Sequence, residues 1–244
     1  MAHELLSLIW GVAGRSCAAG IMVAGKLSME AKPPIRPELG IGAGVRSLPH
    51  SSSVLVLVDF INPLQFEGAD TLAPAALKAA RGAASLKARL EGEGVPAIYA
   101  NDNYGVWQSE FRDMLHYCQG LPGEAGEMAR VLAPAKDDLT ILKPRHSAFY
   151  ATPLDLLLTQ IKARRLVLAG LATDMCVQLT AMDAYLRGYE IWVPADCTAA
   201  ESNEEKREAL DYMSRVLRCA IHSSTEAPNG TPIAQGNGSQ SDLA

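Results

Sequence analysis

The sequence lacks the patterns that mark several large classes of protein. Its 22 Lys and Arg residues stand against 27 Asp and Glu, a formal net charge of −5, and they form no basic block. A large face for phosphate backbones is therefore not expected. No apolar run approaches the roughly 20 residues that a membrane span needs. These absences argue against nucleic acid and membrane as partners and leave a small molecule as the expected one.

Cysteine is scarce and never paired along the sequence. The five cysteines are spread from Cys17 to Cys219 without a CxxC pair, which argues against a disulfide framework and a zinc knuckle. The patterns GxSxG, HExxH and the P-loop are also missing. The GxGxG within "LGIGAGVRS" precedes a strand, whereas a dinucleotide-binding loop follows one. We therefore expect a cytoplasmic protein without a nucleotide cofactor.

The two ends of the chain differ from its middle. Residues 1–50 contain the apolar stretch "ELLSLIWGVAG", but only His3 and Glu4 precede it, so the basic start of a signal peptide is missing. We treat these residues as an N-terminal extension of open status. Residues 223–244 are polar and rich in Gly, Ser and Pro, which predicts a disordered tail. Residues 51–222 are expected to form the folded domain.

Apolar runs and helical patterns alternate along this middle part. Six runs read as strands: "SVLVLVD", "VPAIYAN", "LTILK", "RLVLAG", "YEIWVPAD" and "CAIH". Helical stripes lie between most of them, and a loop-rich stretch through Gly126 follows the second strand. Strand–helix alternation predicts a mostly parallel α/β sheet of about six strands, with helices on both faces. Ligands of such sheets bind beyond the carboxyl ends of the strands.

Three chemically useful side chains follow strand ends at that edge. Asp59 ends the first strand, Lys143 ends "LTILK", and Cys176 comes a few residues after "RLVLAG". We expect Thr173 to cap the helix that carries Cys176, so that the helix dipole and Lys143 lower the thiol pKa. Asp59 would accept the thiol proton and return it to a leaving group. Backbone N–H groups of the turn would bind the oxyanion.

Each residue also has an ordinary structural interpretation. A lone cysteine in an apolar helix is usually buried packing, an Asp after a strand is often a cap, and a Lys is usually solvated. The stripe Met175, Leu179, Met182 and Leu186 already predicts a core face for this helix, with Cys176 beside it. The combination of three such residues in the right topological places favours a nucleophilic site.

Three segments resemble the isochorismatase-like superfamily of cysteine hydrolases. They are "VLVLVDFINPL", "LKPRHSAFYATPLDLLL" and "LVLAGLATDMCVQLTAMDAYLRGYEIWVPADCTA". The resemblance implies a Rossmann-like three-layer α/β/α domain in which Asp59, Lys143 and Cys176 occupy the catalytic positions. It also implies a cis peptide between Leu171 and Ala172, with the amides of Ala172 and Cys176 forming the oxyanion hole.

The resemblance also guides the choice of reaction. A nicotinamidase-type metal site would need an imidazole in "YANDNYGVW", but Asn101, Asp102 and Asn103 offer none, so we expect no metal and no other cofactor. The leading hypothesis is a metal-independent cysteine hydrolase that cleaves an amide, carbamoyl or ureido C–N bond through a thioester. The alternatives are an isochorismatase-type vinyl-ether hydrolase, in which the thiol is dispensable, and a non-catalytic binding domain.

Further residues are assigned more simply. Asn103, Trp107, Arg145 and Phe149 follow the second and third strands and are candidates for binding the substrate; packing or solvation is the ordinary alternative for them. The histidines His116, His146 and His222 do not cluster at ligand spacing, and we expect them to be surface or satisfied residues. By analogy with the family, a homo-oligomer is expected.

Overall fold

Six strands form one sheet in the part of the chain that this computed structural model describes, residues 48–108 and 110–226. In chain order the strands are β1 (Ser53–Val58), β2 (Ala97–Asp102), β3 (Leu139–Lys143), β4 (Arg165–Leu171), β5 (Glu190–Trp192) and β6 (Thr198–Ala199). Their order across the sheet is β3-β2-β1-β4-β5, and β6 pairs with the last residues of β4. Every one of these strand pairs is parallel.

Six helices cover the two faces of the sheet. They are α1 (Ala69–Gly92), α2 (Phe111–Gly120), α3 (Gly123–Val131), α4 (Leu154–Ile161), α5 (Gln178–Leu186) and α6 (Asn203–Arg215). Successive residues of a strand point to opposite faces. Leu55 and Leu57 of β1 therefore pack with α1, α2 and α3, while Val54, Val56 and Val58 pack with α4, α5 and α6. The predicted three-layer α/β/α fold is confirmed.

Three helices show how the sequence sets what is buried and where a helix begins. Helix α1 buries residues spaced three and four apart, as one face of a helix should, including Leu72, Ala76, Ala79, Ala83, Leu86 and Leu90. Helix α4 buries Leu154, Leu158 and Ile161. Helix α6 begins after Ser202, whose hydroxyl accepts a hydrogen bond from the Glu205 N–H, as expected of an N-cap.

The stretch predicted to be loop-rich is mostly helical. Between β2 and β3 the chain forms α2 and α3, and the side chains of Glu110 and Asp113 cap the start of α2 reciprocally. Phe111 and Cys118, seven residues apart, are the buried residues of α2. The helix is short and mostly exposed, so its apolar period is too sparse to stand out from the surrounding polar residues.

The predicted last strand and tail also differ from the structure. In "CAIH" only Ala220 forms a bridge, to Trp192, and the sixth strand is Thr198–Ala199 instead. Ser224 is buried and donates both its N–H and its hydroxyl to the Asp196 carboxylate, so residues 223–226 belong to the packed domain. Residues 227–244, and residues 1–47 of the predicted extension, lie outside the described residues.

Neither a membrane-spanning helix nor a disulfide is found in the described residues. Across residues 48–108 and 110–226, no helix combines the length and the apolar character that crossing a membrane requires. The four cysteines within these ranges, Cys118, Cys176, Cys197 and Cys219, are buried free thiols.

Candidate active site

The candidate site lies at the point in the sheet where the chain changes the side on which it adds new strands. From β1 the chain adds β2 and β3 on one side, and it then returns to place β4 on the other side of β1. Asp59 directly follows β1, and Cys176 follows β4 by five residues. Crevices at such switch points, outside the carboxyl ends of the strands, are where α/β sheets bind ligands.

The end of β4 runs unusually close to β1. Gly170 pairs with Val58 and has a φ of 152°, and a Cβ atom at this position would collide with the Val58 carbonyl oxygen. Only glycine therefore fits here without displacing the central strand. The peptide bond between Leu171 and Ala172 is cis, as the family resemblance implies.

Cys176 lies in a single turn of π-helix, Thr173–Val177, that leads into α5. Ala172, rather than the predicted Thr173, occupies the capping position, with extended backbone angles. Thr173 is instead the first helical residue; its side chain is buried, and its hydroxyl has no hydrogen-bond partner in the structure. The prediction that Thr173 caps the helix is wrong, because its side chain points into the protein rather than back to the N–H groups of the turn.

The predicted core face of this helix is also wrong. Met175 and Leu186 are 43% and 79% exposed, whereas the buried residues are Thr173, Cys176, Val177, Thr180, Ala181 and Ala184. Cys176 therefore belongs to the buried face. Because burial alone would suit a structural cysteine, its functional assignment depends on the polar groups that surround the sulfur.

The three predicted catalytic side chains are brought together. Lys143 Nζ lies 2.7 Å from Asp59 Oδ2 and 3.6 Å from the Cys176 sulfur. The second carboxylate oxygen, Asp59 Oδ1, accepts the backbone N–H of Asp102 at 2.8 Å. Lys143 is fully buried and Asp59 is 4% exposed. A buried ammonium is stable only with such partners, so the ion pair with Asp59 is what allows Lys143 to be buried in the site.

The surroundings of Cys176 favour its neutral thiol over the thiolate. Burial raises the pKa of Cys176, the Asp59 carboxylate raises it further, and Lys143 only partly opposes them. The sequence-based expectation of a lowered thiol pKa is therefore wrong. Burial also raises the pKa of Asp59, against the opposing effect of Lys143. Burial lowers the pKa of Lys143, but its carboxylate neighbours outweigh this and raise it. Asp59 is thus a stronger base than an ordinary carboxylate.

One side chain next to the sulfur was missed by the sequence analysis. The imidazole Nδ1 of His146 lies 3.6 Å from Cys176 Sγ. His146 is exposed, in the loop that follows β3. The spacing of the histidines along the chain does not reveal this contact. The signal for it is that His146 comes three residues after Lys143, at the same edge of the sheet.

A cavity of about 370 Å³ opens beside His146. Its lining comprises Asp102, Asn103, Gly105, Trp107, Pro144, Arg145 and His146. Three of the four predicted substrate-binding residues, Asn103, Trp107 and Arg145, are among them. Phe149 is not: it is 4% exposed, with the Arg187 guanidinium 4.7 Å from its ring centre. The structure thus places Phe149 in the core beneath the loop rather than in the cavity.

Tyr104 is a second residue that the sequence analysis did not select. It has a left-handed φ of 51°, and its N–H donates to Asp102 Oδ1 at 2.6 Å. The residue is 41% exposed, yet the partial burial of its phenol, followed by the Asp59 carboxylate and with a smaller effect from Cys176, raises the pKa of the phenol. Its hydroxyl group therefore lies within the electric field of the catalytic groups.

The residues near β2 do not suit a metal ion. Asn101 donates its amide to the Ile61 carbonyl, Asp102 accepts the Tyr104 N–H and lies 3.6 Å from the Lys143 ammonium, and Asn103 accepts the Gly105 N–H. The Asn101 side-chain oxygen is buried without a hydrogen-bond partner, but the Lys143 ammonium beside Asp102 disfavours a second positive charge there. Within residues 48–108 and 110–226, no group of three or more His, Cys, Asp or Glu side chains has the arrangement of a metal site.

The described domain is similar in sequence and structure to known proteins. Residues 53–227 match a family model described as Isochorismatase domain. The uncharacterized isochorismatase family protein YaaI of Bacillus subtilis (strain 168) is 37% identical over 171 residues, which are 70% of this chain and 93% of that protein. The maleamate amidohydrolase of Pseudomonas putida is 30% identical over 151 residues, 59% of this chain and 70% of that enzyme. The crystal structure of N-carbamoylsarcosine amidase from Thermoplasma acidophilum has a TM-score of 0.56 at 27% identity, covering 72% of this chain and 98% of that one.

Proposed function

The chain belongs to the isochorismatase family of hydrolases, and from this premise we propose that it is a metal-independent cysteine amidohydrolase of a small molecule. The reaction would cleave an amide, carbamoyl or ureido C–N bond through a thioester on Cys176. The observation that carries the proposal is the contact of Lys143 with both Asp59 and the Cys176 sulfur, at 2.7 and 3.6 Å, in an almost fully buried site. Similarity to a maleamate amidohydrolase and an N-carbamoylsarcosine amidase supports it.

In the first half of the reaction the sulfur attacks the substrate carbonyl. The C–S bond forms as the thiol proton moves to the Asp59 carboxylate, which contacts the same Lys143 ammonium as the sulfur does. The carbonyl oxygen becomes an oxyanion, for which the N–H groups of Ala172 and Cys176 are our candidate donors. The C–N bond then breaks, and Asp59 returns the proton to the departing nitrogen. Lys143 holds the carboxylate in place throughout.

In the second half, water hydrolyses the thioester. The water oxygen attacks the thioester carbonyl, the C–S bond breaks, and the carboxylic acid product and the free thiol are released. No redox partner is needed, because the sum of the two halves is the addition of one water molecule across the C–N bond. The Lys143 ammonium beside Asp102 is the support for placing no metal in this scheme.

The cavity suits a substrate that carries a negative charge. Arg145 lines it and is exposed, and within the described residues no ion pair engages its guanidinium. Maleamate and N-carbamoylsarcosine each combine a terminal amide with a carboxylate. We therefore assign Arg145 to an anionic group of the substrate, with Asn103 and Trp107 as neighbouring contacts and no such role for the buried Phe149.

Replacement of the nucleophile tests the proposal. Cys176→Ala should lower ammonia release from a panel of primary amides and ureido acids by at least about a thousandfold, while Cys219→Ala, a buried cysteine elsewhere, should leave it unchanged. Ammonia release retained by Cys176→Ala would contradict the thioester. Isochorismate cleavage by the same variant would favour the vinyl-ether alternative. A wild-type protein that is inactive on the whole panel, with Cys176 unreactive to iodoacetamide, would favour a binding domain.

We further propose that the protein works in the cytoplasm as a homo-oligomer. The free thiols of the four described cysteines support a reducing compartment. Leu156 of α4 and Leu186 of α5 are 62% and 79% exposed, which supports contact with another subunit. Light scattering on the purified full chain measures the assembly directly.

A further inference from the structure

His146 differs from the other two side chains near the nucleophile in being open to water. Asp59 and Lys143 are 4% and 0% exposed. His146 is exposed, lines the cavity, and still places Nδ1 3.6 Å from Cys176 Sγ. The imidazole is therefore a neighbour of the sulfur that a hydrolytic water can reach.

The loop that carries His146 is fastened to the helix that carries the nucleophile. The Ser147 hydroxyl donates to the Asp183 carboxylate at 2.5 Å, and the Ala148 N–H donates to the Thr180 hydroxyl at 3.0 Å. Thr180 in turn donates to the carbonyl of Cys176 at 2.7 Å. Ser147 and Ala148, which directly follow His146, are both anchored to this helix. The protein therefore holds the backbone of His146 close to the turn that carries the sulfur.

We propose that His146 is the general base of the second half-reaction, an inference that rests on the proposed thioester. In this step His146 Nδ1 takes a proton from the water as its oxygen attacks the thioester carbonyl. The C–S bond then breaks, and the imidazolium gives the same proton to the departing sulfur, which Nδ1 already contacts. The thiol and the neutral imidazole are both restored, so the step balances without another reactant.

Asp59 is less open to water than His146. Its oxygens accept the Asp102 N–H and contact Lys143, and the residue is 4% exposed, whereas His146 is exposed and lines the cavity. We therefore assign proton exchange during acylation to Asp59 and during hydrolysis to His146.

An activated ester separates the two half-reactions without knowledge of the natural substrate. With p-nitrophenyl acetate, nitrophenolate release reports acylation of Cys176 and needs no proton donor. The second step is then measured by the disappearance of acetyl-enzyme in the intact mass spectrum after excess ester is removed. The proteins compared are the wild type, His146→Gln, His146→Asn and, as a matched control, His116→Gln, which alters an exposed histidine on α2.

We expect acylation within about twofold of wild type in both His146 variants. Loss of acetyl-enzyme should slow on the order of a hundredfold, and added imidazole should restore part of it. Unchanged loss of acetyl-enzyme, or acylation and hydrolysis slowed by the same factor, would overturn the role of His146 while leaving the thioester intact. A wild-type protein that the ester never acetylates at Cys176 would instead overturn the proposed function, and with it this inference.

Discussion

Replacing Lys143 with methionine tests the buried ion pair through stability rather than activity. Methionine has a similar length and no charge, so the change leaves Asp59 as an unpaired carboxylate at 4% exposure. At 2.7 Å and an effective dielectric constant of about 20, the gross attraction that is lost is about 6 kcal/mol. Removing one partner of a buried pair typically costs about 3–5 kcal/mol of the free energy of unfolding. Since whole domains are stable by about 5–15 kcal/mol, the loss should be large.

The pH dependence of this variant has a definite sign. Burial already raises the pKa of Asp59, and removal of the Lys143 cation takes away the main opposing effect, so the folded-state pKa rises further. A carboxyl whose folded pKa exceeds its unfolded pKa binds more protons when folded. Its stabilising contribution is complete below the unfolded pKa of about 3.9 and is lost as pH rises through the folded pKa. The deficit against wild type should therefore shrink as the pH is lowered through the folded pKa of Asp59.

Urea unfolding followed by circular dichroism measures both effects. The double variant Asp59→Asn/Lys143→Met removes the unpaired charge and should recover more than half of the lost free energy. Lys78→Met, at an exposed position of α1, should stay within about 0.5 kcal/mol of wild type. A Lys143→Met protein as stable as wild type at every pH, or a double variant no more stable than the single one, would refute the reasoning.

Two further predictions concern the frame around the site. Gly170→Ala should lower the free energy of unfolding by about 2–5 kcal/mol, because the new methyl group collides with the Val58 carbonyl oxygen at a positive φ. The control is Gly188→Ala, since Gly188 has a φ of 79° but open space around it. In thermal denaturation this control should cost only about 1–2 kcal/mol. Thr180→Val should cost about 1–3 kcal/mol, because it leaves the buried Ala148 N–H without its acceptor; equal unfolding midpoints for Thr180→Val and Thr180→Ser would show that the hydroxyl is not needed.

The sheet and the meeting of the three catalytic groups could be predicted because they depend on signals within single segments. Continuous β-branched runs such as "SVLVLVD" have few other ways to be buried, and parallel strands deliver their terminal residues to one edge. Asp59, Lys143 and Cys176 each follow such a run. Their juxtaposition needed only the topology, together with the reach of a lysine side chain.

The details that failed depend on tertiary contacts. The apolar period of residues 175–186 indicates Met175 and Leu186 as core, but a second stripe at the same helical spacing, which includes Cys176 and Ala181, is the buried one. The predicted lowering of the thiol pKa rests on the helix dipole and the nearby cation, whereas burial, which raises the pKa, is the larger effect. His146 is adjacent to the sulfur only because Ser147 and Ala148 are tied to α5, across about thirty residues of chain.

The hydroxyl of Thr180, shared between the Cys176 carbonyl and the Ala148 amide, also matters for protein engineering. Exchanging residues 144–150 with those of a relative, in order to change substrate preference, would leave the transplanted loop docked on a helix that evolved for another loop. A transplant that also carries the residues at positions 180 and 183 keeps the attachment points together. The loop and this helical turn should therefore be exchanged together. Libraries that vary both should contain more folded, active members than libraries that vary the loop alone.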